Sequence, residues 1–403
     1  MLKEKCTAYL DFLCNKIDSR RVGSKGNIAS TDYCKEIFES FGWNTEMTAL
    51  DVIDWQENGA ILSIDGEEFD VLPSPYSVGC DVKGELIKIS NIEELEKADL
   101  SNKIVFFHGQ IAKEQLMPKS FVFYNPKEHQ KIIAFLEEKR PLAIISATGR
   151  NAALAGGVYP FPLIEDGDFD IPSVYTTEEV GEVIAKKTGM IAQLVSEARR
   201  IPSKAYNVIG KKGKNPAQRV VVTAHIDAKM GTPGAIDNAT GVIVLLLLAE
   251  LMKDYNGEKM IELVAFNGED YYSVPGQMAF VAKNQDKFDQ IELNINIDGA
   301  GLKNSKSAIS FYDLPDNFQA NARETIEKFD GLVKGAQWPQ GDHSIFLQFG
   351  CPAIAVSSEW FIEHVDNQDI THTPKDKPEI VDCDRVVEIA KGLAYFLQQL
   401  DQV

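Results

Sequence analysis

A β-branched run, Val220-Val221-Val222-Thr223, leads into Ala224-His225-Ile226-Asp227. A few residues on, Gly234-Ala235-Ile236-Asp237-Asn238-Ala239-Thr240-Gly241 leads into the apolar run Val242 to Leu248. The first run reads as a buried strand and the second as a helix. His225 then lies at the carboxyl end of a strand, and Asp237 lies just before a helix amino terminus. In an α/β sheet that edge is where ligands bind. A histidine and two aspartates placed there, spaced by a Gly/Pro turn, are donor types that hold a divalent cation.

The chain around this unit falls into two textures. Residues 1–18 carry apolar positions at helical spacing, and a polar Gly-rich loop, Ser19 to Asn27, follows. That loop lacks the spacing of a phosphate cradle. A helix is predicted from Ile28 to Phe41, stopped by Gly42, and then a strand from Trp43 to Val52. After Pro202 strands alternate with helices: 206–210, 219–224, helix 241–255, 261–266, helix 275–287, 293–297, 308–312, helices 317–329 and 342–348, 353–357, and a last helix from about 384 to 400. That alternation predicts an α/β fold: a mixed, mostly parallel sheet with helices on both faces. Between them, residues 58–202 show short alternating strands (60–64, 84–89, 103–108, 142–146, 173–176) parted by Gly, Pro and Asp, with two helices at 130–139 and 177–187. They predict a smaller β-rich domain inserted into a discontinuous parent formed by 1–57 and 203–403.

With 403 residues, 44% of them hydrophobic and 25% charged, the chain is long enough for two cores. The formal charge of −19 argues against nucleic acid as a partner, because its phosphates require neutralising Lys and Arg. Residues 1–6 show no apolar signal segment, and the apolar run from Val242 is far too short to span a membrane. The six cysteines form no CxxC pair. The expectation is a protein of the reducing cytoplasm with free thiols.

Three further places carry chemistry. Strand 261–266 runs through Asn267-Gly268 to Glu269-Asp270. Strand 293–297 ends in Asp298 before Gly299-Ala300-Gly301. A loop near the carboxyl terminus holds Thr371-His372-Thr373-Pro374-Lys375-Asp376. Each alone reads as an ordinary loop acid, a helix amino-cap neighbour or a surface histidine. Together, at strand carboxyl ends of one sheet, they read as a site. Clustered carboxylates repel one another, and divalent cations would neutralise them.

These residues resemble the M28 family of co-catalytic zinc exopeptidases, aminopeptidases with a zinc-peptidase (phosphorylase-like) α/β fold. Arg21-Val22-Gly23-Ser24, Phe41-Gly42-Trp43, Gly341-Asp342-His343-Ser344 and Phe349-Gly350-Cys351-Pro352-Ala353 also resemble segments of that family. The inserted block resembles the protease-associated domain that many members carry at this point. The resemblance implies two divalent metal ions per chain, zinc first among them. His225 and Asp298 would bind one, Asp270 and His372 the other, and Asp237 would bridge both. It implies that Asp227 orients His225, that Glu269 is the general base, and that the Asp237-Asn238 peptide is cis. The substrate it implies is a peptide with a free amino terminus. Asp270 stands where the family often has Glu, and Thr371 where some members have Tyr.

Three alternatives stand beside this expectation. A same-fold glutaminyl cyclase would keep one zinc. A carboxypeptidase or amidohydrolase of that fold would want an Arg cluster near the site, and no Arg lies between Arg219 and Arg323. A catalytically inactive peptidase-like binding module would have lost ligands. The inserted block, for its part, is expected either to roof the cleft or to serve as a spacer or dimerisation surface.

Overall fold

The computed structural model describes residues 1–150, 157–339 and 341–400. The chain forms two units, Met1–Val52 with Lys204–Val403, and Ile53–Ser203. The first unit opens with α1 (Leu2–Asp11), a π-helical turn (Phe12–Lys16) and α2 (Lys25–Ser40). The Ser24 hydroxyl accepts the Asn27 N–H at 3.1 Å. This cap, rather than the first apolar residue, sets the start of α2, so the helix begins before Ile28. Next comes β1 (Asn44–Ile64), one uninterrupted strand where the sequence predicts two. Gly59, at a φ of +95°, sits inside the strand instead of ending it.

The second unit contains β2 (Glu67–Pro73), β3 (Cys80–Ile89), α3 (Ile92–Lys97), β4 (Lys103–His108), α4 (Lys127–Lys139), β5 (Ala143–Thr148), β6 (Ser173–Thr177), α5 (Glu178–Ala185) and the start of β7 (Ile191–Lys212). Strands β3, β4, β5 and β6 pair in parallel, with β2 antiparallel to β6 and β7 antiparallel to β3. Val105 and Phe107 face one apolar cluster, and Ile104 and Phe106 face another. These strands are therefore covered on both faces. The near-continuous apolar run Ile104-Val105-Phe106-Phe107 is the signature of a parallel strand inside its sheet, not of a one-faced alternating one.

The first unit resumes with β8 (Asn215–His225), α6 (Thr240–Leu251), β9 (Lys259–Phe266), α7 (Pro275–Asn284), β10 (Ile291–Ile297), β11 (Ser307–Tyr312), α8 (Asp316–Lys328), β12 (Leu332–Lys334), α9 (His343–Gln348), β13 (Ala353–Ser358), α10 (Glu359–Glu363) and α11 (Cys383–Gln399). Its strands lie in the order β7-β9-β8-β10-β13-β11-β12. The central four are parallel, while β7 and β11 join them antiparallel. The sheet is thus mixed and mostly parallel. Side-chain alternation sends Leu293, Ile295 and Ile297 of β10 into the large apolar cluster with α6, and Asn294 and Asn296 to the other face. There α9 packs on β10 and β13.

Helix α6 has no polar stripe, because it has no wet side. Every residue from Thr240 to Ala249 is buried, with the sheet beneath and α1, α2 and α11 around it. Burying each Leu there contributes roughly 1.5–3 kcal/mol. This anchors the helix whose amino end carries Asp237.

Candidate metal centre

Parallel strands in register finish at one edge. His225 pairs with Phe266 across β8 and β9, and Thr223 pairs with Asn296 across β8 and β10. Hence His225, the Gly268–Asp270 loop and Asp298 leave the sheet side by side. The loop before α6 brings Asp237 to the same place, and the loop before α11 brings His372.

The distances define a chain of contacts. Asp237 Oδ1 lies 3.1 Å from His225 Nε2, and Asp237 Oδ2 lies 3.1 Å from His372 Nε2. His225 Nε2 is 3.7 Å from Asp298 Oδ1, and His372 Nε2 is 2.9 Å from Asp270 Oδ1. One carboxylate therefore offers an oxygen to each of two histidine–aspartate pairs. Donor atoms of His225, Asp237 and Asp270 lie within 4.8 Å of one another. Both ring nitrogens of His225 and Asp270 Oδ2 are buried without an aligned hydrogen bond. Orphaned atoms of this kind cost stability unless something coordinates them. Imidazole and carboxylate together form the donor set that suits zinc, so the residues present fit a pair of divalent cations.

Asp227 has a different main contact from the one expected. Its Oδ1 accepts the N–H groups of Gly268 (2.7 Å) and Glu269 (3.2 Å), and its Oδ2 accepts that of Asp270 (3.0 Å). It stands 3.6 Å from His225 Nδ1, just beyond hydrogen-bond length. A fully buried carboxylate takes the most available donors, and three backbone N–H groups of a tight turn surround it. Asp227 thus braces the Glu269-Asp270 segment directly and flanks His225.

Two buried groups hold the Asp237 loop. The Asp376 carboxylate accepts the N–H groups of Ile236 (2.7 Å) and Asp237 (3.0 Å). Arg20, 2% exposed, donates to the carbonyls of Ile226, Leu13, Pro233 and Gly234 at 2.7–3.0 Å. The Asp237-Asn238 peptide is cis. Asn238 then donates Nδ2 to the Ile297 carbonyl and accepts the Gly241 N–H, tying the loop to β10 and to α6. A Cβ at Gly241 would lie 2.3 Å from Asn238 Oδ1 and 2.6 Å from the Ile297 carbonyl, which explains the glycine there. On the His372 side, Gln368 Oε1 accepts the N–H groups of Ile370 and Thr371, closing the turn that presents the histidine.

Burial and crowding shift the titrating groups. Burial pushes Glu269 well above the usual carboxylate range, opposed by His225 and reinforced by Asp270, Asp298 and Asp342. Burial likewise raises Asp298, with His225 opposing. Asp237 moves the other way: burial resists its ionisation, but contact with His225 and His372 holds it well below the usual range. Burial disfavours the charged form of both histidines, yet the surrounding carboxylates push them well above an ordinary imidazole. The carboxylates thus draw cationic charge to this spot, which two metal ions would supply in place of protons.

All seven residues singled out in the sequence, His225, Asp227, Asp237, Glu269, Asp270, Asp298 and His372, come to this one place. Sequence reasoning missed the roles of Arg20, Asp376 and Asn238. Arg20 sits in the polar Gly-rich loop that follows residues 1–18, and no spacing marks a buried arginine that binds carbonyls far along the chain. Arg20→Met is expected to lower stability by about 3 kcal/mol or more, because four carbonyls lose a charged donor in a dry setting. A downward shift of the chemical-denaturation midpoint checks it, with Arg20→Lys recovering part of the loss.

Residues 207–397 match the profile of Peptidase family M28. Aminopeptidase YwaD of Bacillus subtilis (strain 168) is 29% identical over 240 residues, which cover 56% of this chain and 50% of that protein. The chain thus matches about half the length of that curated relative. Among solved structures, an aminopeptidase from Aneurinibacillus sp. strain AM-1 superposes with a TM-score of 0.78 at 18% identity, covering 98% of this chain and 93% of that one. A zinc aminopeptidase from Bacillus subtilis gives 0.74 at 20% identity, covering 99% and 94%. At these identities the two structures establish a shared fold.

Proposed function

From the match of residues 207–397 to Peptidase family M28, we propose that the chain is a metal-dependent aminopeptidase removing amino-terminal residues from peptides. The observation that carries the reading is Asp237, with one carboxylate oxygen at 3.1 Å from each of two histidines. His225 and Asp298 would hold one cation, Asp270 and His372 the other, with Asp237 shared. When bound, divalent cations supply Lewis acidity, making water a stronger acid and drawing charge from the scissile carbonyl.

The chain's own residues supply the rest. Glu269 lies beside the cluster and has no role in the cage, so its carboxylate is free to take the proton of the attacking water. Held in a poorly solvated pocket, it then returns that proton to the departing amine, which must leave neutral. A carboxylate positioned beside the water suits both halves of that task. Asp227 fixes Glu269 by its backbone, so the base reaches the water without a mobile tether. A protonated amino terminus is drawn to the carboxylates, which favours substrates with a free end. The unit Ile53–Ser203, which runs in the chain from within β1 to within β7, is read as a domain of the protease-associated kind.

Purified protein should contain two divalent metal ions per chain, and prolonged chelation should abolish hydrolysis of an aminoacyl-anilide panel, with zinc restoring it. Substrates with an acetylated amino terminus should resist cleavage. A single metal ion per chain, or activity that survives metal removal, would overturn the reading.

A further inference from the structure

Asp342, the residue before α9, and Gln277, in the first turn of α7, are each 2% exposed. Gln277 Nε2 donates to Asp342 Oδ1 at 2.7 Å. Among the described residues, Asp342 Oδ2 and Gln277 Oε1 are buried without an aligned partner. A buried carboxylate with a single hydrogen bond costs stability, and an apolar pair would fill the same space without that penalty. Packing alone therefore does not account for the two side chains.

The pair joins two firmly held parts of the unit. His343, next to Asp342, is fully buried, with Nε2 3.1 Å from the Trp338 carbonyl and its ring 4.7 Å from those of Tyr312 and Trp338. On the other side, the first turn of α7 is stitched to the turn that carries Glu269. The Gly276 N–H donates to the Asn267 carbonyl at 3.1 Å. The Asn207 side chain donates to the Gly276 carbonyl at 2.8 Å and accepts the Asn267 N–H at 3.0 Å. Gly268 lies against Pro275 so closely that a Cβ at 268 would stand 2.6 Å from the proline Cδ. Glu269 follows directly.

We infer that Asp342 and Gln277 are positioning residues for Glu269: their hydrogen bond holds the first turn of α7, and that turn holds the general base in place. The inference rests on the aminopeptidase reading above. Asp227 clamps the N–H groups of Gly268, Glu269 and Asp270. The Asp342–Gln277 bond fixes the junction of that same turn with α7. A shift of about 1 Å at a reacting group can lower the rate by about 10²-fold, even when its cause lies away from the chemistry.

The double variant Gln277→Leu with Asp342→Leu removes the bond and leaves an apolar pair. It should unfold at or above the wild-type temperature. Its kcat on an aminoacyl-anilide should nevertheless fall by about 10- to 10²-fold, with KM and metal content unchanged. Asp342→Asn keeps an oxygen for the Gln277 amide and should recover most of that turnover. Hydrogen exchange gives a readout that needs no activity: the Gly268–Asp270 N–H groups should exchange about tenfold faster in the double variant, with α6 unaffected. A wild type inactive on the anilide would sink the aminopeptidase reading, and exchange would still decide whether the bond holds the turn. If the double variant does not fold, Gln277→Met carries the same comparison. Wild-type kcat and exchange in the double variant overturn the inference. So does Asp342→Asn as slow as the double variant, or faster exchange that extends to α6.

Discussion

Glu269→Gln is expected to lower turnover by about 10²–10⁴-fold, the usual worth of a positioned general base, while the bound metal and the fold stay as they are. Glutamine keeps the shape of the side chain and loses only the capacity to accept and return a proton. The backbone around it has no reason to move. Asp227 binds the N–H groups of Gly268, Glu269 and Asp270, so the segment is held by its main chain whatever side chain stands at 269. Relief of a buried carboxylate, held well above its usual range by desolvation, points toward an unchanged or slightly firmer fold. Steady-state kinetics on an aminoacyl-anilide, with metal analysis and thermal unfolding on the same preparation, separate the effects. Near-normal turnover in this variant would remove Glu269 from the mechanism.

Asp237→Asn should fail in a different way. Here the carboxylate stands between both histidines, and an amide presents one oxygen and one NH₂ group where two oxygens are required. The NH₂ group would face either His225 or His372 and could not serve a cation on that side. Metal affinity should fall by at least about 10²-fold, the upper end of what loss of a supporting partner costs, equivalent to about 2.7 kcal/mol. Turnover falls with it. The apo protein should lose some stability as well, because the carboxylate's contacts with the two histidines go, although Asp376 and Asn238 still hold the loop backbone. Titration with zinc, followed by calorimetry, distinguishes the two variants: Glu269→Gln binds normally and turns over slowly, whereas Asp237→Asn does not retain its metal. If Asp237→Asn held two ions at wild-type affinity, the shared-ligand arrangement would be wrong.

Much of the site was legible because its residues follow strands. His225 ends β8, Glu269 and Asp270 follow β9, and Asp298 follows β10. Once those apolar runs are read as neighbouring parallel strands, their carboxyl ends must share an edge. His372 was less legible, since the loop carrying it belongs to no strand end. Only its family resemblance placed it. The β-rich reading of residues 58–202 placed α4 and α5 but missed the short helix α3 and the parallel pairing, because short apolar runs look alike whether one or both faces are covered.

By itself the chain's order of residues determined the α/β class and the spots where chemistry could gather, because hydrophobic period and turn residues act over a few positions and are written locally. Only the tertiary structure decided that Asp237 lies between two histidines, that Asp227 grips the Gly268–Asp270 backbone, and that Arg20 and Asp376 clamp the loop before α6. Those contacts join residues separated by tens to hundreds of positions. Their partners are mostly backbone carbonyl and N–H groups, which every residue carries and no sequence pattern distinguishes.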